Sequence, residues 1–199
     1  SDLKQGADIP GVLLIEKNAE LGKKLSISGG GRCNILNAEE DVHALLANYG
    51  EAAPFLYSAF AEFGVQEATA FFERIGVPIV VEARKRAFPV SQRAVMVVEA
   101  LEEYLRERGV EIRTNTSIAR VKTEGNRITA IVAQGFEFTA DNYIFATGGV
   151  SHPETGSTGD GFDWLAELGH TVTAPTPTIV PLAVKEKWLH SLKGTTLSD

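Results

Sequence analysis

The sequence predicts an α/β fold, a parallel sheet with helices, that also carries a small antiparallel β-meander. The apolar run 12–15 closes on Glu16, as a strand buried in a parallel sheet does. Segments with apolar residues at helical spacing follow this run, which indicates helices packed on the sheet. Beyond Gly109 the apolar residues alternate with a period of two. We therefore expect a strand, then several helices, and then a meander at about residues 110–140.

Apolar spacing and turn residues place the individual elements. Helices are predicted at about 39–49, 53–63, 66–75, 91–108 and 162–168. Strands are predicted at 78–82, 87–90, 110–114, 117–122, 127–132, 136–139 and 143–146. Ser91 is the expected N-cap of the longest helix, because its hydroxyl can accept a hydrogen bond from the first turn, and Gly109 is the expected stop.

Composition limits the functions that the chain can have. Its 199 residues are enough for one sizeable core, and its 44% hydrophobic and 23% charged content is typical of a globular protein. The net charge of -7 works against a nucleic-acid surface, which must neutralise phosphates. No apolar run approaches the roughly 20 residues of a membrane helix and no signal peptide is recognisable. We therefore expect a cytoplasmic protein that binds neither membrane nor nucleic acid.

The run 28–34, Ser-Gly-Gly-Gly-Arg-Cys-Asn, lies twelve residues past Glu16. Three consecutive glycines let a backbone pass close to a planar or anionic ligand, and Arg32 and the nearby Lys24 supply positive charge for a phosphate. A carboxylate at the end of such a strand accepts hydrogen bonds from a ribose. The alternatives are a flexible turn for the glycines and an ordinary helix cap or surface charge for Glu16.

A second candidate ligand contact is the segment Thr147-Gly148-Gly149, which directly follows the predicted strand 143–146. Ligands of open parallel sheets lie outside the carboxyl ends of the strands, which favours a site here. A tight turn between a strand and a loop is the alternative.

These elements, in this order, resemble the FAD-binding fold of the two-dinucleotide-binding-domain flavoproteins. More narrowly, the chain is similar to the aminoacetone-oxidase-like or BaiN-like family of bacterial FAD-dependent oxidoreductases. The matching stretches are 14–18, 22–25, 28–34, 88–91, 146–149, 155–162 and the tail 177–182. The resemblance implies an incomplete Rossmann-like FAD-binding domain over residues 1–180 and the start of an inserted substrate domain over residues 181–199.

The resemblance also implies an FAD cofactor and a role for each matching residue. Glu16 would bind the adenosine ribose, Ile118 would meet the adenine through its main chain, and the glycine run would line the pyrophosphate and the flavin. The cofactor-binding residues implied are Glu16, Lys17, Lys24, Ser28, Gly29, Gly30, Gly31, Arg32, Cys33, Asn34, Ile118, Thr147, Gly148, Gly149, Gly159, Asp160 and Gly161. The implied function is hydride transfer between the flavin and a small organic substrate, with NAD(P)H or oxygen completing the cycle. No catalytic triad is expected, because the flavin ring itself carries hydride chemistry.

The other polar candidates have a structural and a functional interpretation each. Cys33 is the chain's single cysteine, so we interpret it as a small packed residue beside the cofactor rather than as a redox thiol. His152 is a candidate to give or take a substrate proton, and a structural loop histidine is the alternative. The remaining histidines, His43, His170 and His190, show no metal-ligand spacing, so no metal is expected.

The chain departs from the family pattern before the first strand. A G-x-G-x-x-G fingerprint should precede Val12, yet residues 1–10 contain only Gly6. The strand and helix of that fingerprint would lie between strands 12–16 and 143–146, so we expect the missing strand to come from the rest of the protein or from another chain. The alternative is a cofactor-free remnant or interaction module of a flavoprotein fold. A tRNA-modifying flavoprotein is disfavoured by the acidic charge balance.

Overall fold

The protein is described by a computed structural model that covers residues 4–5, 11–125, 127–176, 185 and 188. The strands are β1 (Lys4–Gln5), β2 (Leu13–Ile15), β3 (Leu36–Asn37), β4 (Ile79–Glu82), β5 (Arg86–Pro89), β6 (Glu111–Arg113), β7 (Ile118–Glu124), β8 (Arg127–Ala133) and β9 (Phe136–Phe138). The helices are α1 (Lys23–Ile27), α2 (Val42–Ala47), α3 (Ala53–Glu62), α4 (Val65–Arg74), α5 (Ala94–Glu107) and α6 (Asp160–Glu167).

The strands of the described residues form three small sheets. β2 and β6 form a two-stranded parallel pair, in which Leu14 lies opposite Ile112. β3, β5 and β4 form an antiparallel sheet in that order. β7, β8 and β9 form the predicted meander, and β1 pairs in parallel with β9. The parallel pair, the helices and the meander confirm the predicted fold class.

The core beneath the glycine run is formed where α1, α4 and α5 meet. Cys33, Val77, Ala94 and Val97 are its buried members. Helices α1 and α5 approach so closely that a Cβ on Gly22 would lie only 2.8 Å from a methyl carbon of Val98. Gly22 also has a φ of +65°, a conformation in which a side chain is disfavoured. The buried residues beside the glycine run therefore hold it against α5.

The predicted strand at 143–146 is wrong. The structure has no strand there, and Ile144 is 91% exposed. An isolated extended segment needs a neighbouring strand to bond its backbone, and no described strand lies beside this one. The segment is instead tethered at its start, where the Tyr143 hydroxyl donates to Thr129 O at 3.1 Å.

The predicted N-cap of the longest helix is also wrong. Helix α5 begins at Ala94 with Arg93 in the N-cap position, and no side chain caps it. Gln92 has a φ of +55°, so the helix cannot extend back to Ser91. The predicted stop is confirmed, since Gly109 N donates to Arg106 O at 3.0 Å.

The structure leaves the domain boundary untested. The tail 177–182 lies outside the described residues, as does the segment 181–199 apart from residues 185 and 188. Within the described part, no helix is both long and apolar enough to cross a lipid bilayer. The same residues contain no group of three or more potential metal ligands.

Candidate functional site

The centre of the candidate site is the turn that follows β2. Glu16 N donates to Arg113 O at 2.9 Å, and Glu16 O accepts from Thr116 N at 2.9 Å, so β6 and the residues after it fix the backbone at Glu16. The carboxylate is fixed as well, because its Oε1 accepts from Asn18 N at 2.7 Å and from Asn18 Nδ2 at 2.8 Å. Glu16 thus presents a half-buried, oriented carboxylate at the carboxyl end of a parallel strand.

Three side chains from this turn and from α1 hold the distant loop 147–161. Lys17 Nζ donates to the Thr158 hydroxyl and forms an ion pair with Asp160 Oδ2 at 2.8 Å. Asn18 Nδ2 donates to the backbone oxygen of Thr155 at 3.0 Å. Lys24 Nζ donates to Ser151 O at 2.6 Å and to the buried Ser157 hydroxyl. The structure therefore brings the predicted residues Glu16, Lys17 and Lys24 together with the 147–161 loop.

The contact with Lys17 also changes the acidity of the loop. Hydrogen bonds from Lys17 and then from Thr158 lower the pKa of Asp160 below its ordinary value. Asp160 is consequently ionised at neutral pH and lies in the first turn of α6, where a negative charge is favoured by the helix dipole. The Asp160 carboxylate is thus bonded to Lys17 and Thr158, and it attaches the loop to the turn after β2.

Two glycines of the loop are explained by close packing. A Cβ on Gly148 would lie 2.8 Å from the Ser157 hydroxyl oxygen, and one on Gly161 would overlap the Thr147 side chain. A Cβ on Gly149 would meet nothing within 4 Å. Gly148 and Gly161 thus fold the loop against itself, whereas Gly149 borders open space.

The glycine run forms a 3₁₀ turn, Ser28–Gly31, and its three glycines are exposed. Gly29 is a packing position, because a Cβ there would lie 2.8 Å from Asn34 N and 3.2 Å from the Phe88 ring. Gly30 and Gly31 have φ values of +67° and +86°, and a Cβ on either would meet nothing within 4 Å. The run therefore offers an open glycine surface at Gly30 and Gly31 only.

Arg32 is not a free cation. Its guanidinium stacks 4.0 Å above the centre of the Phe88 ring, and Nη1 donates to Glu82 Oε1 at 3.0 Å and to Gln92 Oε1 at 2.9 Å. The charge expected to bind a phosphate is thus paired with Glu82 on β4. Lys24 differs, because none of the described carboxylates forms an ion pair with it. Lys24 is therefore the better cation for an anionic group.

The ends of the run are tied into the fold. Ser28 Oγ donates to Leu25 O at 2.8 Å at the end of α1. Cys33 is fully buried, and burial raises the pKa of its thiol, an effect that a hydrogen bond with Ser28 partly offsets. A neutral, enclosed thiol agrees with the interpretation of Cys33 as a packed residue. Asn34, next to it, is exposed.

Two further predicted residues lie at the margins of the site. Ile118 begins β7, two residues after Thr116, whose backbone N–H bonds Glu16. His152 lies on the loop with φ +54°, and its Nδ1 is 2.8 Å from Glu154 Oε1. That hydrogen bond lowers the pKa of Glu154. His152 is largely exposed, and its part in proton transfer stays a prediction.

Sequence reasoning missed several residues that build the site. Asn18 and Thr155 belong to stretches that carry the family resemblance, so the sequence did contain a signal for them. They hydrogen-bond to each other across 137 residues, and no local pattern indicates such a contact. Glu82 and Gln92 lie 50 and 60 residues from Arg32 and had no signal in the sequence.

Comparison with known proteins identifies the family. The family described as HI0933-like protein Rossmann domain matches this sequence over residues 4–196. The chain belongs to the HI0933-like family. This is a Rossmann-fold family of FAD-dependent oxidoreductases, which confirms the resemblance to BaiN-like proteins.

Three curated relatives are similar to this chain. The 3-dehydro-bile acid delta(4,6)-reductase of Clostridium scindens is 32% identical over 175 residues, 88% of this chain and 42% of the relative. The ribosomal RNA dihydrouridine synthase of Haemophilus influenzae is 27% identical over 192 residues, 94% of this chain and 47% of the relative. The enzyme of the same name from Escherichia coli is 25% identical over 182 residues, 92% and 44% of the two chains. The chain thus spans less than half the length of these relatives.

The residues present fit the FAD that the family implies. Gly30 and Gly31 leave free the volume that a side chain would fill, which a bound group needs in order to approach the backbone. Lys24 supplies positive charge without a carboxylate partner in the described part of the chain. Glu16 supplies a carboxylate for a ribose, with one oxygen already held by Asn18.

Proposed function

We propose that this chain is the FAD-binding part of a cytoplasmic oxidoreductase that transfers a hydride between the flavin and a small organic substrate. The observation that carries the proposal is the oriented Glu16 carboxylate at the end of β2, to which Lys17, Asn18 and Lys24 attach the loop 147–161. A fixed carboxylate and a loop tied beside it are what the adenosine ribose and the rest of an extended dinucleotide require. Family membership supports the same cofactor.

Each residue of the proposed site has a separate task. Glu16 accepts hydrogen bonds from the ribose, and Lys24 attracts the pyrophosphate. The backbone at Gly30 and Gly31 admits the cofactor, while Arg32 stays paired with Glu82 and holds the run in place. When bound, FAD supplies reversible hydride acceptance and donation. His152 on the tied loop is the side chain that we propose to exchange a proton with the substrate.

The names of the relatives suggest the direction and the kind of substrate. A delta(4,6)-reductase and a dihydrouridine synthase each describe the addition of hydrogen to a carbon–carbon double bond. We propose that the substrate of the full protein is likewise an activated carbon–carbon double bond, that one carbon receives the hydride and the other a proton, and that NAD(P)H is the source of the hydride. The net charge of -7 supports a small-molecule substrate rather than an RNA that contains the double bond.

A ribosomal RNA substrate is the second candidate, because two of the relatives are named for one. The chain spans less than half of those proteins, so a basic surface for RNA would belong to the remainder. Lack of RNA binding by the full-length protein at low salt would remove this candidate. Retained binding with a steep salt dependence would favour it over a small molecule.

The proposal for the cofactor is tested by the visible absorption spectrum of the full-length protein. We expect bound flavin that is released as FAD on denaturation and that NAD(P)H reduces in the absence of oxygen. A full-length protein that is purified without flavin and takes up no added FAD would contradict the proposal. A flavin that NAD(P)H leaves oxidised would contradict only the choice of hydride source.

The open edge of the parallel pair is proposed to be completed by a further strand. β2 pairs with β6 on one side, and no described strand lies on its other side. Val12, just before β2, is 62% exposed. A strand from the rest of the protein or from another chain would bond this edge. The N–H of Glu16 bonds β6, and N–H groups alternate sides along a strand, so those of Leu13 and Ile15 face the open edge. Slow amide exchange at Leu13 and Ile15 in the full-length protein, and fast exchange there in the isolated 199-residue chain, is the expected result.

A further inference from the structure

Asn18 contacts three separate parts of the candidate site. Its backbone N–H and its side-chain amide both donate to Glu16 Oε1, at 2.7 and 2.8 Å. The same amide also donates to Thr155 O at 3.0 Å, and Asn18 O accepts from Asn115 N at 2.8 Å. Asn18 therefore joins the carboxylate, the loop 147–161 and the segment after β6.

These contacts leave the Glu16 carboxylate divided between two tasks. Both donors of Asn18 converge on Oε1, whereas Oε2 has no donor among the residues that the structure describes. A carboxylate with one oxygen held by the protein cannot rotate freely, so its second oxygen has a defined direction. The oxygen available for a ribose hydroxyl is thus oriented by Asn18.

The loop is shaped to receive the Asn18 amide. A Cβ on Gly156 would lie 2.6 Å from Asn18 Nδ2, and Gly156 has a φ of +101°. Any side chain at position 156 would displace the amide from Thr155 O. Thr155 itself is buried, and its N–H donates to His152 O at 2.9 Å, so this part of the loop is a fixed acceptor.

We propose that Asn18 is a positioning residue that orients Glu16 for the adenosine ribose and couples ribose binding to the order of the loop 147–161. This inference rests on the ribose contact of Glu16 in the proposed function. A ribose bound at Oε2 would strengthen the hold on the carboxylate that Asn18 already orients, and the carboxylate would in turn hold the Asn18 amide more firmly against Thr155 O. The two ends of the site are then linked through one amide group.

The test compares ligands that contain or lack the adenosine ribose. The full-length apoprotein is titrated with FAD, with ADP and with FMN, which has the flavin but no adenosine. Loss of a hydrogen bond to a charged group predicts that Asn18→Ala weakens FAD and ADP binding by about tenfold or more, with FMN binding changed by less than about threefold. Asn48→Ala is the matched control, because Asn48 Nδ2 likewise donates two hydrogen bonds, in its case to the backbone oxygens of Ala44 and Leu45 at the end of α2.

A second measurement tests the coupling itself. Hydrogen–deuterium exchange of the 151–159 backbone is followed with and without ADP. We expect ADP to slow exchange there in the wild-type protein and in Asn48→Ala, but not in Asn18→Ala. Gly156→Ala should reproduce the loss, since its Cβ would occupy the position of the amide. Equal protection in wild type and in Asn18→Ala would overturn the coupling.

The outcomes separate this inference from the proposed function. If Glu16→Ala weakens ADP binding but Asn18→Ala does not, the positioning role of Asn18 is wrong and the ribose contact stands. If Asn18→Ala weakens ADP and FMN equally, Asn18 only supports the fold. If Glu16→Ala leaves ADP binding unchanged, the ribose contact falls, and the inference about Asn18 falls with it.

Discussion

Gly30 gives the sharpest test of the glycine run, because a side chain there would point into space that the protein does not use. A Cβ on Gly30 meets no atom within 4 Å, and the backbone has a φ of +67°. The protein itself therefore resists Gly30→Val only through backbone strain, about 1–2 kcal/mol in the left-handed region. A bound cofactor that lies against this backbone would meet the new methyl groups as well.

The chain provides a closely matched control for this strain. Gly109, at the end of α5, has a φ of +69°, and a Cβ there also meets nothing within 4 Å. Gly30→Val and Gly109→Val should therefore lower the free energy of unfolding of the apoprotein by similar amounts. Forcing extra carbons into an occupied volume costs about 1–3 kcal/mol, so FAD affinity should fall about 5- to 150-fold in Gly30→Val alone.

The assay is flavin content together with thermal unfolding, measured on both variants and the wild-type full-length protein. The expected pattern is a similar fall in melting temperature for both variants, with flavin lost from Gly30→Val and kept by Gly109→Val. Flavin kept by Gly30→Val at the stability of the control would refute the reasoning. An apoprotein of Gly30→Val that unfolds far more easily than the control would mean that the run is structural.

Three other changes separate the binding and structural parts of the site. Glu16→Ala should weaken FAD binding by about 1–3 kcal/mol in a calorimetric titration, and an unchanged affinity would move the ribose contact elsewhere. Gly29→Ala should destabilise the apoprotein more than the Gly109 variant does in chemical denaturation, because its Cβ would lie 2.8 Å from Asn34 N. Since Lys17 lowers the pKa of Asp160, the stability that this pair contributes should be present above the ordinary pKa of Asp160 and be lost as the pH falls through the lowered value. The free energy of unfolding of Asp160→Asn should therefore be lower than that of wild type at neutral pH, and the two values should converge in strong acid.

Local patterns in the sequence were sufficient for much of the fold. The alternation after Gly109 predicted the meander of β7, β8 and β9, because a period of two depends only on neighbouring residues. Glu16 was expected to close the strand at 12–16, and it directly follows β2. The prediction failed at 143–146, where strand formation depends on a neighbouring strand rather than on the apolar residues themselves.

The sequence indicated segments for the candidate site but not the contacts between them. Sequence motifs indicated the glycine run and the 147–161 loop as ligand-binding segments, since clusters of glycine, threonine and serine are typical of such loops. They gave no sign that Arg32 would pair with Glu82, because an ion pair across 50 residues has no local pattern. For the same reason the run's three glycines looked equivalent, although Phe88 packs against Gly29 and leaves the other two open.

The way the glycine run is anchored bears on how a ligand could be bound with little loss of entropy. Glycine loses more conformational freedom on becoming ordered than any other residue, so three free glycines would make a costly binding surface. Here Cys33 N donates to Ser28 O at 3.0 Å, and the Cys33 side chain is held in the core. The ordering of Gly30 and Gly31 thus takes place when the protein folds rather than when a ligand arrives. A preorganised surface of this kind leaves more of the contact energy available as affinity.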